Sequence, residues 1–263
     1  MLGEYRDAAR DYDKTTGLLP VHTMVSLVRK PTKDWLNTID VIIEAFPEGV
    51  EEPVVSPTLT DSNTVAVHGR EGMYALHIEC AKKKPGVALV QKLLELFPSA
   101  AGVPGGARGC LPLHLALIGG RVDQKIVKTL TACYPRGAAE FDEVAGRLPL
   151  HYVCMSPRAN AKVFEWLVKA YPEAISTSDE LSGRLPLHWA CKNPSSKLSL
   201  QFVRKILQTD QGKHGLRHLD SVGRIPVHYA ARQKHGGDLI RLILEEDREC
   251  GIVSDECPYR TPH

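Results

Sequence analysis

Gly-Arg-Leu-Pro-Leu-His occurs verbatim at 146–151 and again at 183–188, and as Gly-Arg-Ile-Pro-Val-His at 223–228. Looser copies stand at 17–22 (Gly-Leu-Leu-Pro-Val-His), 72–77 (Gly-Met-Tyr-Ala-Leu-His) and 109–114 (Gly-Cys-Leu-Pro-Leu-His). The closing residues are His22, His77, His114, His151, His188 and His228, at steps of 55, 37, 37, 37 and 40. A chain that repeats itself at such a step is a stack of small units, because one unit cannot bury its own apolar face. That constraint outranks any single-residue argument and reinterprets most of the histidines and cysteines.

The unit at 142–172 shows what each copy encodes. Asp142 to Gly146 has turn chemistry, with glycine where a positive φ is needed. Pro149 fits the first position of a helix, where a missing N–H costs nothing. The first helix, at about 150–155, is stopped by Ser156-Pro157. A second, at about 161–171, carries Val163, Trp166, Leu167 and Ala170 on one face. It closes on an aromatic-proline pair, Tyr171-Pro172, matched by Phe46-Pro47, Phe97-Pro98 and Tyr134-Pro135.

Six copies in register, five with a Pro-Leu-His or Pro-Val-His helix start and one with Ala75 in place of the proline, small residues after it, a Leu/Val-rich second helix and an Asp-bearing turn resemble the ankyrin repeat family. The resemblance implies an all-α, ankyrin-like repeat solenoid of paired antiparallel helices with projecting turns. Repeats are expected at about 13–47, 70–107, 108–144, 145–181, 182–221 and 222–258, with a loop insertion at 48–70 and a truncated seventh copy from 259. This is a lengthened variant: the step of 37 exceeds the family's roughly 33 residues. Leu19, Leu111, Leu148, Leu185 or Ile225 replaces the threonine before proline, removing a hydroxyl cap worth about 1 kcal/mol per helix. In the family the histidine bonds backbone groups of the turn, which makes all six a structural motif.

His-x-x-Cys recurs at His77/Cys80, His151/Cys154 and His188/Cys191, a spacing that suggests zinc. The same offset holds Val25, Leu117 and Ala231 in the other copies, so the slot is apolar and cysteine fills it as a small hydrophobe. No catalytic residue, metal ligand or cofactor is therefore assigned, and no small-molecule substrate is implied. The glycine-rich run at 103–109 lacks the Gly-Lys-Ser/Thr of a phosphate loop. Seven cysteines without framework spacing, a net charge of +2, and no long apolar run place the chain in a reducing cytoplasmic or nuclear compartment, off the membrane.

Slots repeated identically specify the stack, while slots that differ can specify a partner. Candidate contacts at the end of the first helix are Lys82, Ile118, Met155, Lys192, Asn193, Arg232 and Gln233. Arg147, Arg184 and Arg224 form a periodic ladder open to two readings: exposed pairing with Asp142, Asp179 and Asp220, worth about 0–1 kcal/mol each, or a basic strip for an acidic segment. Tyr152, Trp189 and Tyr229 are expected either to pack between repeats or to anchor a peptide. The expected function is a non-catalytic scaffold holding a protein or peptide on its concave face. The alternatives are a regulatory or targeting module of a larger enzyme, and nucleic-acid binding through the basic strip.

Overall fold

Each copy of the repeated phrase builds the same local structure. The computed structural model describes residues 7–14, 16–27, 33–55, 72–106, 108–118, 123–234 and 236–249. In it, Gly17, Gly72, Gly109, Gly146, Gly183 and Gly223 all take φ between +51° and +76°, where a side chain is strained. At Gly146 a Cβ would also meet the Glu180 side chain at 2.3 Å. Two residues later the chain is extended, as a residue before proline must be (Leu148 φ −73°, ψ 156°; Leu185 φ −71°, ψ 160°). Proline then opens the helix.

Helices α1 (Pro20–Leu27), α5 (Pro112–Ile118), α7 (Pro149–Met155), α9 (Pro186–Lys192) and α12 (Pro226–Ala231) arise this way, and α3 (Ala75–Cys80) opens at the same place on Ala75. They are followed by α2 (Lys33–Ala45), α4 (Val87–Leu96), α6 (Gln124–Cys133), α8 (Ala161–Ala170), α10 (Ser196–Leu207) and α13 (Gly236–Glu249). In two of these the loop supplies a cap: Asp123 accepts from Lys125 N, and Asn160 from Lys162 N.

The aromatic-proline pair redirects the chain rather than merely ending a helix. Phe46, Phe97, Tyr134 and Tyr171 sit at φ −135° to −146° and ψ 76° to 87°. The proline after each starts a 3-10 turn: Pro47–Val50, Pro98–Gly102, Pro135–Ala138 and Pro172–Ile175. Val50, Ala100, Ala138 and Ile175 on these turns are buried, so the segment belongs to the core. The fifth copy has Gln208-Thr209 in that place and no such hinge. There Thr209 caps a short extra helix, α11 (Asp210–His214), through Gly212 N, and this element accompanies the longer step of 40.

First helices stack on first helices (α1 on α3, α3 on α5, α5 on α7, α7 on α9, α9 on α12), and second on second from α4 to α13. The leucines of the repeated phrase fill the seam: Leu19, Leu76, Leu113, Leu148, Leu150, Leu185 and Leu187 are at most 4% exposed. Full burial of one such side chain is worth about 1.5–3 kcal/mol. Phe164 and Phe202 stack between adjacent second helices at 5.1 Å. Successive turns are joined by backbone bonds, Glu180 N to Gly146 O, Leu181 N to Ala145 O and Ser221 N to Ser182 O, without a regular sheet among the described residues.

Of the expected insertion at 48–70, the first residues belong to the 3-10 turn Pro47–Val50 and residues 56–70 lie outside the described residues, as does the expected seventh copy at 259–263. The flanks of the insertion lie side by side: Val54 N donates to Met73 O and Gly72 N to Val54 O. Among the described residues no helix is long and apolar enough to cross a membrane.

Candidate protein-recognition surface

The histidines settle what the turns are made of. Leu148 N donates to His151 Nδ1 at 3.0 Å, while His151 Nε2 lies 3.1 Å from Thr177 O on the segment that enters the next turn. An N–H can only donate and a carbonyl only accept, so the proton sits on Nε2. The same pair of bonds is made by His22 (Leu19 N, Glu52 O), His77 (Tyr74 N, Val103 O) and His114 (Leu111 N, Glu140 O). His188 does likewise with Leu185 N and with His218 O and Arg224 O. His228 is exposed, with its Nδ1 on Ile225 N. The imidazole thus supplies half of a capping box, and the leucine that replaced threonine supplies no acceptor.

Burial holds His22, His77, His151 and His188 neutral, with pKa values lowered to about 4; His114 is lowered for the same reason. With both nitrogens bound to backbone, His77, His151 and His188 have no lone pair left for a metal. Cys80, Cys154 and Cys191 beside them are fully buried, and burial pushes their thiols up, away from the reactive thiolate.

The turn aspartates are not exposed partners, as the sequence reading had them. Asp142, Asp179 and Asp220 are at most 5% exposed. Asp142 accepts from Val144, Ala145 and Arg147 N; Asp179 from Ser182 N and Oγ; Asp220 from Val222 and Arg224 N. The second oxygen takes the aromatic hydrogen of the first helix: Tyr152 Oη at 3.0 Å, Trp189 Nε1 at 2.8 Å, Tyr229 Oη at 2.5 Å. Burial opposes ionisation, but these hydrogen bonds outweigh it and hold all three carboxyls below the usual range.

Tyr152, Trp189 and Tyr229 are only 4–9% exposed, which corrects the idea of direct peptide anchors. They form slots for the arginine ladder instead. Arg147 lies over Tyr152 and Trp189 (5.9 and 4.7 Å), and Arg184 over Trp189 and Tyr229 (5.1 and 5.0 Å). Each guanidinium faces the aspartate of the following turn: Arg184 Nε to Asp220 at 3.0 Å, Arg147 Nε to Asp179 at 3.6 Å. Arg224 is exposed.

Lys192 places a third cation on Trp189, 4.9 Å from the ring centre. Its pKa is lowered, first by desolvation and then by Arg184, Arg147 and Arg232. A hollow of about 180 Å³ beside it is lined by Met155, Trp189, Lys192 and Pro194. Arg232 and Gln233 border an adjacent one of about 320 Å³. Gln233 Nε2 donates to Lys192 O at 3.0 Å, tying the two copies together.

The remaining candidates are scattered. Asn193 is buried, and its amide donates to Cys154 O and Ser156 O and accepts from Ser195 N, so it joins repeats rather than offering a contact. Lys82 bonds the buried Glu79 at 2.5 Å. Ile118 is 37% exposed, far from the cluster in sequence. Sequence reasoning missed the three apolar turn tips Val144, Leu181 and Val222, which are 54–66% exposed. Their common offset, two residues after each turn aspartate, was the available signal.

No family model matches this chain, and no curated protein does. Solved structures do, 122 chains in all, so the likeness does not hang on one neighbour. The crystal structure of the ankyrin repeat domain of Bcl-3, titled a unique member of the IkappaB protein family, superimposes with a TM-score of 0.58 at 17% identity. The match covers 86% of this chain and 85% of that one. Identity this low speaks to architecture alone, and the architecture it supports is the one the helix pairs, glycine turns and bridging histidines build: the chain has the ankyrin-repeat fold.

Proposed function

We propose that this chain is a non-catalytic recognition scaffold that holds a protein or peptide on the face formed by its turns and first helices. Ankyrin-repeat and other solenoid folds present extended surfaces of this kind, and the buried imidazoles, thiols and turn aspartates described above are committed to the frame. The observation that carries the reading is Trp189 with three cations, Arg147, Arg184 and Lys192, within 4.7–5.1 Å of its ring. Asp179 and Asp220 answer Arg147 and Arg184, while the charge of the exposed Lys192 is disfavoured by desolvation and the neighbouring arginines, and a carboxylate-bearing segment would answer it with charge-assisted bonds. Met155 and Arg232 flank the cluster and set what sits beside the acid. Arg147 and Arg184 serve both the stack and the surface, while Lys192, Arg224 and Arg232 are exposed.

The test is capture by the wild-type chain against a Lys192→Glu/Arg232→Glu variant, with melting measured on both. A partner held by the first and lost by the second at unchanged melting temperature supports the reading. Equal capture by both refutes it.

A further inference from the structure

Ion pairs answer cations along much of the stack. Lys92 pairs with Asp40, Lys205 with Glu165, Lys213 with Glu246 and Arg217 with Asp247, while Asp179 and Asp220 hold Arg147 and Arg184. The exposed Lys192, Arg232 and Lys234 differ: none forms an ion pair among the described residues. They stand at and just beyond the ends of α9 and α12, which Gln233 Nε2 ties together through Lys192 O at 3.0 Å. Arg232 is close enough to help lower the Lys192 pKa. Asp238, the nearest acid in sequence to Lys234, is exposed on the first turn of α13 and lines neither hollow beside these cations.

The two hollows differ in character. The one of about 180 Å³ is walled by Met155, Trp189 and Pro194, with Lys192 as its one charged wall, and has room for one bulky apolar side chain. Pro194 is also a wall of the second, of about 320 Å³, so the two adjoin. Arg232, Lys234, Gln233 and Ser196 make that second hollow cationic and polar, and no acid lines either. Lys192 Nζ lies 4.9 Å from the centre of the Trp189 ring that walls the first, so a group filling it has the ammonium as its immediate neighbour. In an extended segment, side chains two residues apart share a face about 6.8 Å from each other, a spacing of that order.

We propose that these adjoining hollows bind a segment of a partner protein that presents a bulky apolar side chain and a carboxylate on one face. The apolar group displaces water from Met155, Trp189 and Pro194, and the carboxylate sits between Lys192 and Arg232, whose charges have no other answer. Arg147 and Arg184 take no part, being held by their aspartates. A protein segment fits better than nucleic acid, because cations already crowd the Trp189 ring at 4.7–5.1 Å, where a base would have to stack.

This inference rests on the recognition reading above and is tested separately from it. The probes are end-capped Gly/Ser peptides carrying Leu-Ser-Glu or Glu-Ser-Leu, titrated at low salt into isotope-labelled protein and followed by amide NMR shifts. The tighter of the two orders is expected to lose about tenfold when its leucine becomes serine and about threefold when its glutamate becomes glutamine. Lys192→Met should erase the preference for glutamate over glutamine, keep that for leucine over serine, and leave melting unchanged. Absence of binding by both orders, equal binding of the serine, glutamine or a Leu-Ser-Lys peptide, or a glutamate preference that survives Lys192→Met overturns the proposal. So does equal displacement of the peptide by an oligothymidylate of the same charge. Where such results accompany capture that still depends on Lys192 and Arg232, the scaffold reading stands and only the pairing of acid with apolar group is refuted.

Discussion

Mild acid should unfold this protein through its histidines. His22, His77, His151 and His188 are neutral in the fold with pKa values of about 4, against about 6.5 in an unfolded chain. A depressed native pKa means the stabilisation is complete above pH 6.5 and is lost as pH falls from 6.5 towards 4, because only the unfolded chain takes up protons there. Linkage over that interval costs about 2 kcal/mol per histidine between pH 7 and pH 5, and about 7 kcal/mol for the four. A domain of ordinary stability has about 5–15 kcal/mol in total. The turn aspartates do not enter this window, since their lowered values place their loss below about pH 4. The assay is urea unfolding followed by helical circular dichroism at pH 7, 6 and 5. The expected result is a midpoint that falls steeply, with His151→Gln less stable by about 1–3 kcal/mol at pH 7 yet falling one proton less steeply. A midpoint indifferent to pH between 7 and 5, or a variant with the wild-type slope, would refute the reasoning.

Asp179→Asn should cost about 2–4 kcal/mol, because the amide cannot accept from both Ser182 and Trp189 and leaves Arg147 unpaired; chemical denaturation at pH 7 reads it. Gly146→Ala should lose about 1–2 kcal/mol by the same measurement, from positive φ and contact with Glu180. Cys80, Cys154 and Cys191 should resist alkylation in the native state while the exposed Cys133 reacts, as peptide mass spectrometry can follow. Arg184→Glu should lower melting more than Lys192→Glu, since it sets a carboxylate against the buried Asp220 between two rings.

The stack was legible because its determinants are local: glycine at positive φ, proline at the helix start and leucine beside it act within a few residues of themselves. The 3-10 turns after Phe97, Tyr134 and Tyr171 were read only as stops, because proline marks a break equally well when the chain continues in a tighter turn. The extra helix at Asp210–His214 escaped because it lies where the fifth copy departs from the pattern, and repetition says nothing about exceptions. The surface was half legible. Arg147 and Arg184 were named, but whether an arginine is free or sandwiched depends on Trp189 and Tyr229 of neighbouring copies. Asn193 looked variable and therefore available, yet its amide holds the preceding repeat. Burial of that kind is a property of the assembled stack.

The bridging imidazole gives the array a polarity. Each described histidine with a second bond finds it further along the chain, on the segment entering the next turn, and Arg147 and Arg184 likewise look ahead to the next aspartate. Opening a turn therefore strands a ring nitrogen of the first helix before it and takes no bond from the repeated-phrase histidine after it. Through these bonds damage passes backwards along the chain like a row of toppling dominoes, while the amides of Asn193 and Gln233, which reach back to Cys154, Ser156 and Lys192, pass it forwards.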